Sequence, residues 1–120
     1  MTAQQRRAIG GYGEAVAARH LTEQGMVLLA ANWRCDLGEL DLVLRDGDTL
    51  VVCEVKTRSS LDYGSPLEAV DQQKLDRLVL LGDRWVEHHD ARPRDVRVDL
   101  VAVVRSAQGA AQVEHLRGVA

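Results

Sequence analysis

Gly38-Glu39-Leu40-Asp41-Leu42-Val43-Leu44, a short turn, then Leu50-Val51-Val52-Cys53-Glu54-Val55-Lys56 is the stretch on which the reading of this chain turns. Each half alternates apolar and polar residues, the period of a half-buried strand. Leu40, Leu42 and Leu44 share one face of the first half, with Glu39 and Asp41 on the other. In the second half Val51, Cys53 and Val55 share one face, with Glu54 and Lys56 on the other. Asp46-Gly47-Asp48-Thr49 supplies turn residues between them, so the two halves read as a β-hairpin. Symmetry about Gly47-Asp48 sets Arg45 against Leu50, Val43 against Val52, Asp41 against Glu54 and Glu39 against Lys56. A slip of one residue would put leucines opposite the charged set, so the apolar face selects this parity.

Two carboxylates directly opposed across a ladder, roughly 4.5–5.5 Å apart at Cβ, repel each other and weaken the pair. Two arrangements relieve that. A divalent cation such as Mg²⁺ can be held by the carboxylate oxygens, with Lys56 placed to polarise a substrate oxygen or orient an attacking water. Alternatively, the charges form a surface ion-pair ladder, Glu39 with Lys56 and Asp41 with a nearby arginine.

Composition narrows the function classes. The chain has 120 residues, 46% hydrophobic and 28% charged, which suits one domain spanning 1–120 with a substantial core. No apolar run approaches the ~20 residues that span a bilayer, and Arg6 and Arg7 are not followed by a signal-peptide core, so a cytoplasmic protein without a membrane partner is expected. The two cysteines, Cys35 and Cys53, make neither a disulfide framework nor a zinc site. Cys53 reads as a small buried hydrophobe and Cys35 as a loop residue. Neither has a histidine at a readable spacing, which argues against thiol catalysis. The net charge of −3 weighs against a dedicated nucleic-acid binder, although a local basic patch over an acidic site is compatible with it.

Outward from the hairpin, residues 4–24 carry a helical pattern weakened at its start by Gly10, Gly11 and Gly13. Gly10, Ala17, Ala18 and Leu21 share a face with Glu14, which either pairs with an arginine, lies at a rim or binds metal. A second stripe of Ile9, Tyr12 and Val16 faces another element or another subunit. Gly25 closes the helix, and Met26 to Trp33 reads as a strand. Trp33 reads as a packing residue, with base stacking as the weaker alternative.

Beyond the hairpin, Thr57 to Gly64 is a polar loop in which Arg58 either meets a phosphate or is solvated. Ser65-Pro66-Leu67-Glu68 is a helix start, and the helix runs to about His89 with a break near Asp71. Its apolar stripe is Leu67, Val70, Leu78, Leu81 and Trp85, interrupted by Lys74, whose ammonium either snorkels to water or reaches the carboxylates. His88 and His89 suit a helix C-terminus and are given no chemistry. Val96 to Val104 reads as an interior strand interrupted by Asp99, expected to accept hydrogen bonds or pair with an arginine, with a metal role as the weaker alternative. Val113 to Leu116 reads as an edge strand, with a frayed tail from Gly118. This order predicts an α/β domain: a mixed central sheet flanked by helices, with a parallel crossover between the third and fourth strands.

An acidic residue on the first helix, an aspartate on the second strand and Glu-x-Lys on the third form the signature of the PD-(D/E)XK nuclease superfamily. More closely, the chain resembles the YraN-like bacterial family, which is Holliday-junction-resolvase-like. The matching stretches are Gly13-Glu14-x-x-Ala17, Gly38 to Val43, Glu54-Val55-Lys56-Thr57-Arg58, Gly64 to Val70 with Lys74, and Val98 to Val103. Val98 stands where an aromatic often precedes the aspartate. This resemblance implies a restriction-endonuclease-like αβββαβ core. It also implies a Mg²⁺- or Mn²⁺-dependent endonuclease acting on DNA, with branched or recombination intermediates as candidate substrates. By the same resemblance Glu14, Asp41 and Glu54 are the acidic metal-site residues, the Val55 carbonyl adds an oxygen, and Lys56 is the catalytic lysine, with Asp41 and Glu54 also catalytic. Glu39 fits the family motif in a supporting place. Arg58, Lys74 and Arg19 are the expected phosphate contacts, and a four-way junction calls for a symmetric homodimer. From a different class comes the alternative of a non-catalytic nucleic-acid-binding or assembly module on the same fold.

Overall fold

A computed structural model describes residues 11–58, 66–106 and 109–120. Its elements are helix α1 (Tyr12–Glu23), strands β1 (Val27–Cys35), β2 (Gly38–Asp46) and β3 (Thr49–Arg58), a 3₁₀ turn (Pro66–Ala69), helix α2 (Gln72–His88), and strands β4 (Asp95–Val104) and β5 (Gln112–Leu116). The strands form one sheet in the order β1-β2-β3-β4-β5. All neighbours are antiparallel except β3 and β4, which run parallel across the α2 crossover. This is the expected mixed sheet with flanking helices, and it is compatible with a restriction-endonuclease-like core. Among the described residues, no helix is long and apolar enough to cross a membrane.

The hairpin register is the one its sequence selects: Asp46 pairs with Thr49, Arg45 with Leu50 and Val43 with Val52. The expectation of one apolar and one polar face is corrected, because both faces are covered. Leu42, Leu44, Val51, Cys53 and Val55 pack under α1 with Ala17, Ala18 and Leu21. On the opposite face Val43, Leu50 and Val52 pack under α2 with Leu78, Leu81 and Trp85. A strand flanked by neighbours and by helices on both sides is apolar throughout, and the alternation survives only where the helices leave the sheet open.

Small residues bring α1 close to the sheet. A Cβ added at Gly13 would collide with the Thr57 side chain, lying 3.0 Å from its Cβ. Gly25, at φ +99°, ends α1 as expected. Residues 4–10 of the expected longer helix, Ile9 included, lie outside the described residues, as do Ser65 and most of the loop after Arg58. Tyr12 is exposed and carries the Arg105 guanidinium 4.4 Å above its ring. The break near Asp71 is present. It separates the 3₁₀ turn from α2, and Asp71 caps α2 by accepting the Lys74 N–H at 2.9 Å.

Two further expectations are corrected. Cys35 is the last residue of β1, opposite Gly38, and not a loop residue. The tail beyond Gly118 is bound to the sheet: Val119 N–H donates to Val98 O at 2.9 Å and Val98 N–H to Ala120 O at 2.8 Å. Asp99 explains this docking. Fully buried within a continuous β4, it accepts from Arg97 at 2.9 Å, from Gly118 N–H at 3.0 Å and contacts His115 Nε2 at 2.8 Å. Burial alone would raise its carboxyl, but Arg97, the Gly118 amide and His115 hold it below the usual carboxylate range.

Candidate active site

The site begins with a paired kink. Leu42 packs under α1, yet Leu40, only two residues away, packs under α2. The strand therefore turns over at Asp41, and the sequence-based placing of Leu40 with Leu42 and Leu44 is corrected. In β1 the same happens between Ala31, under α1, and Trp33, under α2. Between them Asn32 adopts φ +52°, a left-handed conformation that asparagine tolerates better than other non-glycine residues. Ala31 pairs with Leu42 and Trp33 with Leu40, so the two strands kink together at Asn32 and Asp41.

This kink ends the β2–β3 ladder at Leu42 opposite Cys53. The expected ladder pairs Asp41–Glu54 and Glu39–Lys56 therefore do not form. Continuing the register would set Leu40 against Val55. Instead, Asp41 Oδ2 accepts the Val55 N–H at 2.8 Å. A strand residue sends its N–H and C=O to the same side, so the Val55 carbonyl faces this same gap.

Asp41 is also hydrogen-bonded to Glu54. Burial, then that bond and the charges of Glu54 and Glu14, push the Asp41 carboxyl up to about 8, against the opposing pull of the Val55 N–H. Burial would raise Glu54 as well. Hydrogen bonds from Asp41 and Lys74, with the charges of Lys74 and Lys56, outweigh it and hold Glu54 below its ordinary value. At neutral pH the pair thus keeps one proton, carried by Asp41, with Glu54 ionised.

Lys74 reaches this pair, its Nζ 2.8 Å from Glu54 Oε2. Of its two sequence readings, the one that brings the ammonium to the carboxylates holds. Glu54 is 7% exposed, so an unpaired charge there would be costly, and the lysine offsets it. Lys56 lies half-buried two residues beyond Glu54 on the same face of β3, close enough to stabilise its charge. Glu14, in the first turn of α1, is half-buried and its charge is felt at Asp41. Glu14, Asp41, Glu54, Val55, Lys56 and Lys74 therefore converge.

Other expected contacts fall elsewhere. Glu39 pairs with Arg34 on the neighbouring strand at 3.3 Å. Arg19 is exposed and pairs with Glu23 at 3.1 Å, beside a cleft between α1 and β5. Arg58 ends β3 in solvent, its carbonyl accepting Arg105 N–H at 2.8 Å. Asn32 was not singled out by sequence, since a lone asparagine in a strand-like run carries no signal of its kink.

Among the described residues, no group of three or more His, Cys, Asp or Glu side chains gathers tightly enough to hold a metal ion unaided. The donor set nevertheless fits a hard divalent cation. Asp41 and Glu54 lie within hydrogen-bonding reach of each other, and carboxylate with carbonyl oxygen suits Mg²⁺ or Mn²⁺. Mg²⁺ is commonly held by one or two carboxylates, with water and substrate phosphate completing its shell.

The family model described as "Uncharacterised protein family UPF0102" matches residues 13–103. A UPF0102 protein of a Nocardioides species is 60% identical over 114 residues, covering 95% of this chain and 92% of that protein. One from Beutenbergia cavernae is 61% identical over 112 residues, covering 93% and 95%. Another, from Streptomyces coelicolor, is 53% identical over 117 residues, covering 96% and 90%.

Proposed function

This chain belongs to the UPF0102 family, and on that footing we propose that it is a Mg²⁺- or Mn²⁺-dependent endonuclease of the PD-(D/E)XK type, hydrolysing DNA phosphodiester bonds in branched or recombination intermediates in the cytoplasm. The observation that supports it most is the convergence of the Asp41 and Glu54 carboxyls, Asp41 held by the Val55 N–H at 2.8 Å and Glu54 by Lys74 at 2.8 Å, beside Lys56. Such a pair stores negative charge at neutral pH and is compensated from several sides, as a site for a cation and a phosphate would be.

Asp41, Glu54 and the Val55 carbonyl would hold the cation, with Glu14 closing the site from α1. When bound, the cation supplies Lewis-acid polarisation of the phosphoryl oxygen and a lowered pKa for water. Asp41, kept in place by the Val55 N–H, would have to be ionised to hold the cation. Lys56 donates to the phosphate oxygen as charge develops there. Lys74 holds the Glu54 carboxylate and would add positive charge beside the phosphate backbone. Arg58 extends the cationic surface past the end of β3, and a symmetric dimer would present two such sites to a four-way junction.

The test is cleavage of labelled four-way-junction, flap, single-stranded and duplex DNA with Mg²⁺ or Mn²⁺, beside Asp41→Ala and Lys56→Ala proteins prepared identically. Cleavage that needs metal and is lost in both variants supports the proposal. Cleavage that persists in both comes from a contaminant and counts against it.

A second reading, a non-catalytic nucleic-acid-binding or assembly module, is favoured by one observation. Lys74 Nζ, 2.8 Å from Glu54 Oε2, itself neutralises that carboxylate. On that reading Lys56→Ala weakens DNA binding modestly, and no substrate is cut by the parent protein.

A further inference from the structure

The start of β3 carries a second concavity, at the opposite end of the strand from Glu54. It has a volume of about 440 Å³ and lies between the β2–β3 turn and the segment joining α2 to β4. Arg45 and Asp48 contribute from the hairpin, Trp85 from α2, and Arg92 and Arg94 from the connecting segment. That segment is fixed at both ends: Ala91 N–H donates to Val86 O at 3.1 Å and Arg94 N–H to Asp48 O at 2.9 Å.

One feature of the cavity asks for a ligand. Among the described residues, none of its three arginines has a carboxylate partner, and Arg45 gives one N–H only to Gly47 O, at 3.4 Å. Trp85, 6% exposed and stacked on His89 at 4.2 Å, lines the cavity from α2, so its indole reports on what enters beside it.

We propose that this cavity binds a small phosphate monoester. Three arginines against Asp48 leave the lining with a formal charge of +2, which matches a group carrying about two negative charges near neutral pH. Guanidinium groups engage phosphate oxygens through paired N–H donors. Leu29, Leu50 and Pro93 add an apolar wall for the organic part of the ligand. The volume is that of a small-molecule pocket, and the chain's net charge of −3 disfavours a long polyanion at a site with so few cations. The site is separate from Asp41 and Glu54 and does not depend on their chemistry.

The experiment follows the indole N–H resonances of isotope-labelled protein, assigned with Trp33→Phe, during titration with inorganic phosphate, adenosine monophosphate, adenosine and duplex DNA. Saturable movement of the Trp85 signal with both phosphates and none with adenosine is expected. Arg92→Ala and Arg94→Ala should each weaken that response about tenfold, while Lys56→Ala leaves it unchanged. A Trp85 signal unmoved by either phosphate at millimolar concentration overturns the proposal. Movement with DNA alone overturns it too, and reassigns the arginines to a nucleic-acid surface.

Discussion

Asp41 Oδ2 accepts the Val55 N–H at 2.8 Å, where the β2–β3 register would otherwise bring the backbone of Leu40. A side chain has replaced main chain in the ladder. The exchange opens the hairpin at one level, keeps the amide satisfied, and fixes a carboxyl group beside Glu54 with little freedom to rotate. Position and protonation of Asp41 thus come from a single backbone irregularity.

The first prediction concerns pH. Asp41 titrates at about 8 in the folded chain against 3.8 for a free carboxyl, so the folded state binds the extra proton across that window. Its stabilising contribution is complete below about pH 4 and is lost as the pH rises through about 8. Glu54 shifts the other way, but its change lies below 4.5, outside the window. In chelator-treated protein the melting temperature should fall steadily between about pH 5 and 8 and level off above that. Asp41→Asn keeps an acceptor for Val55 and a donor for Glu54, and should flatten that slope in a calorimetric series. An unchanged slope would remove Asp41 as its source.

Metal addition gives the second. A cation that replaces the shared proton should stabilise the protein at pH 7 by about 2.7 kcal/mol at a hundredfold excess over Kd, with release of protons to the buffer. Asp41→Asn should abolish both effects. Titration calorimetry in two buffers of different ionisation enthalpy measures the released protons directly.

Lys74→Met removes the partner of a buried carboxylate while keeping the length of the side chain. A loss of about 1–3 kcal/mol in urea unfolding is expected. Adding Glu54→Gln should recover part of it, because the uncompensated charge goes too. A strictly additive double variant would mean that the two side chains are not coupled.

Gly13→Ala tests the approach of α1. The new Cβ meets Thr57, so a cost of about 1–3 kcal/mol is expected despite the better helix propensity of alanine. Thr57→Ala in the same chain clears the hydroxyl and should restore much of the loss. Thermal melts of the single and double variants decide it.

Much of this architecture can be read directly from the residues. Strand parity around Gly47-Asp48, the break at Asp71 and the polar role of Asp99 follow from local chemistry, since turn residues, a helix cap and a lone aspartate in an apolar strand carry their meaning with them. Leu40 resisted such reading because which helix covers it depends on a kink at Asn32, a residue on the neighbouring strand. The convergence of Lys74 on Glu54 was one of two open readings for the same reason: a lysine on an apolar stripe is told apart from a snorkelling one only by what the facing strand presents. The docked tail depends on Asp99 and on strands brought together from distant parts of the sequence.

The docking of Val119 and Ala120 against Val98 has a consequence beyond fold stability. β4 reads Val98-Asp99-Leu100-Val101-Ala102-Val103-Val104, an uninterrupted β-forming run once Asp99 is neutralised by Arg97. β3 covers one of its edges, while β5 covers the other only from Leu100 onward. Val119 and Ala120 cover it at Val98, where an exposed edge of this composition would pair with a strand of a second copy. The tail therefore keeps the Val98 backbone groups paired, and its removal is expected to lower the concentration at which the protein self-assembles into cross-β aggregates.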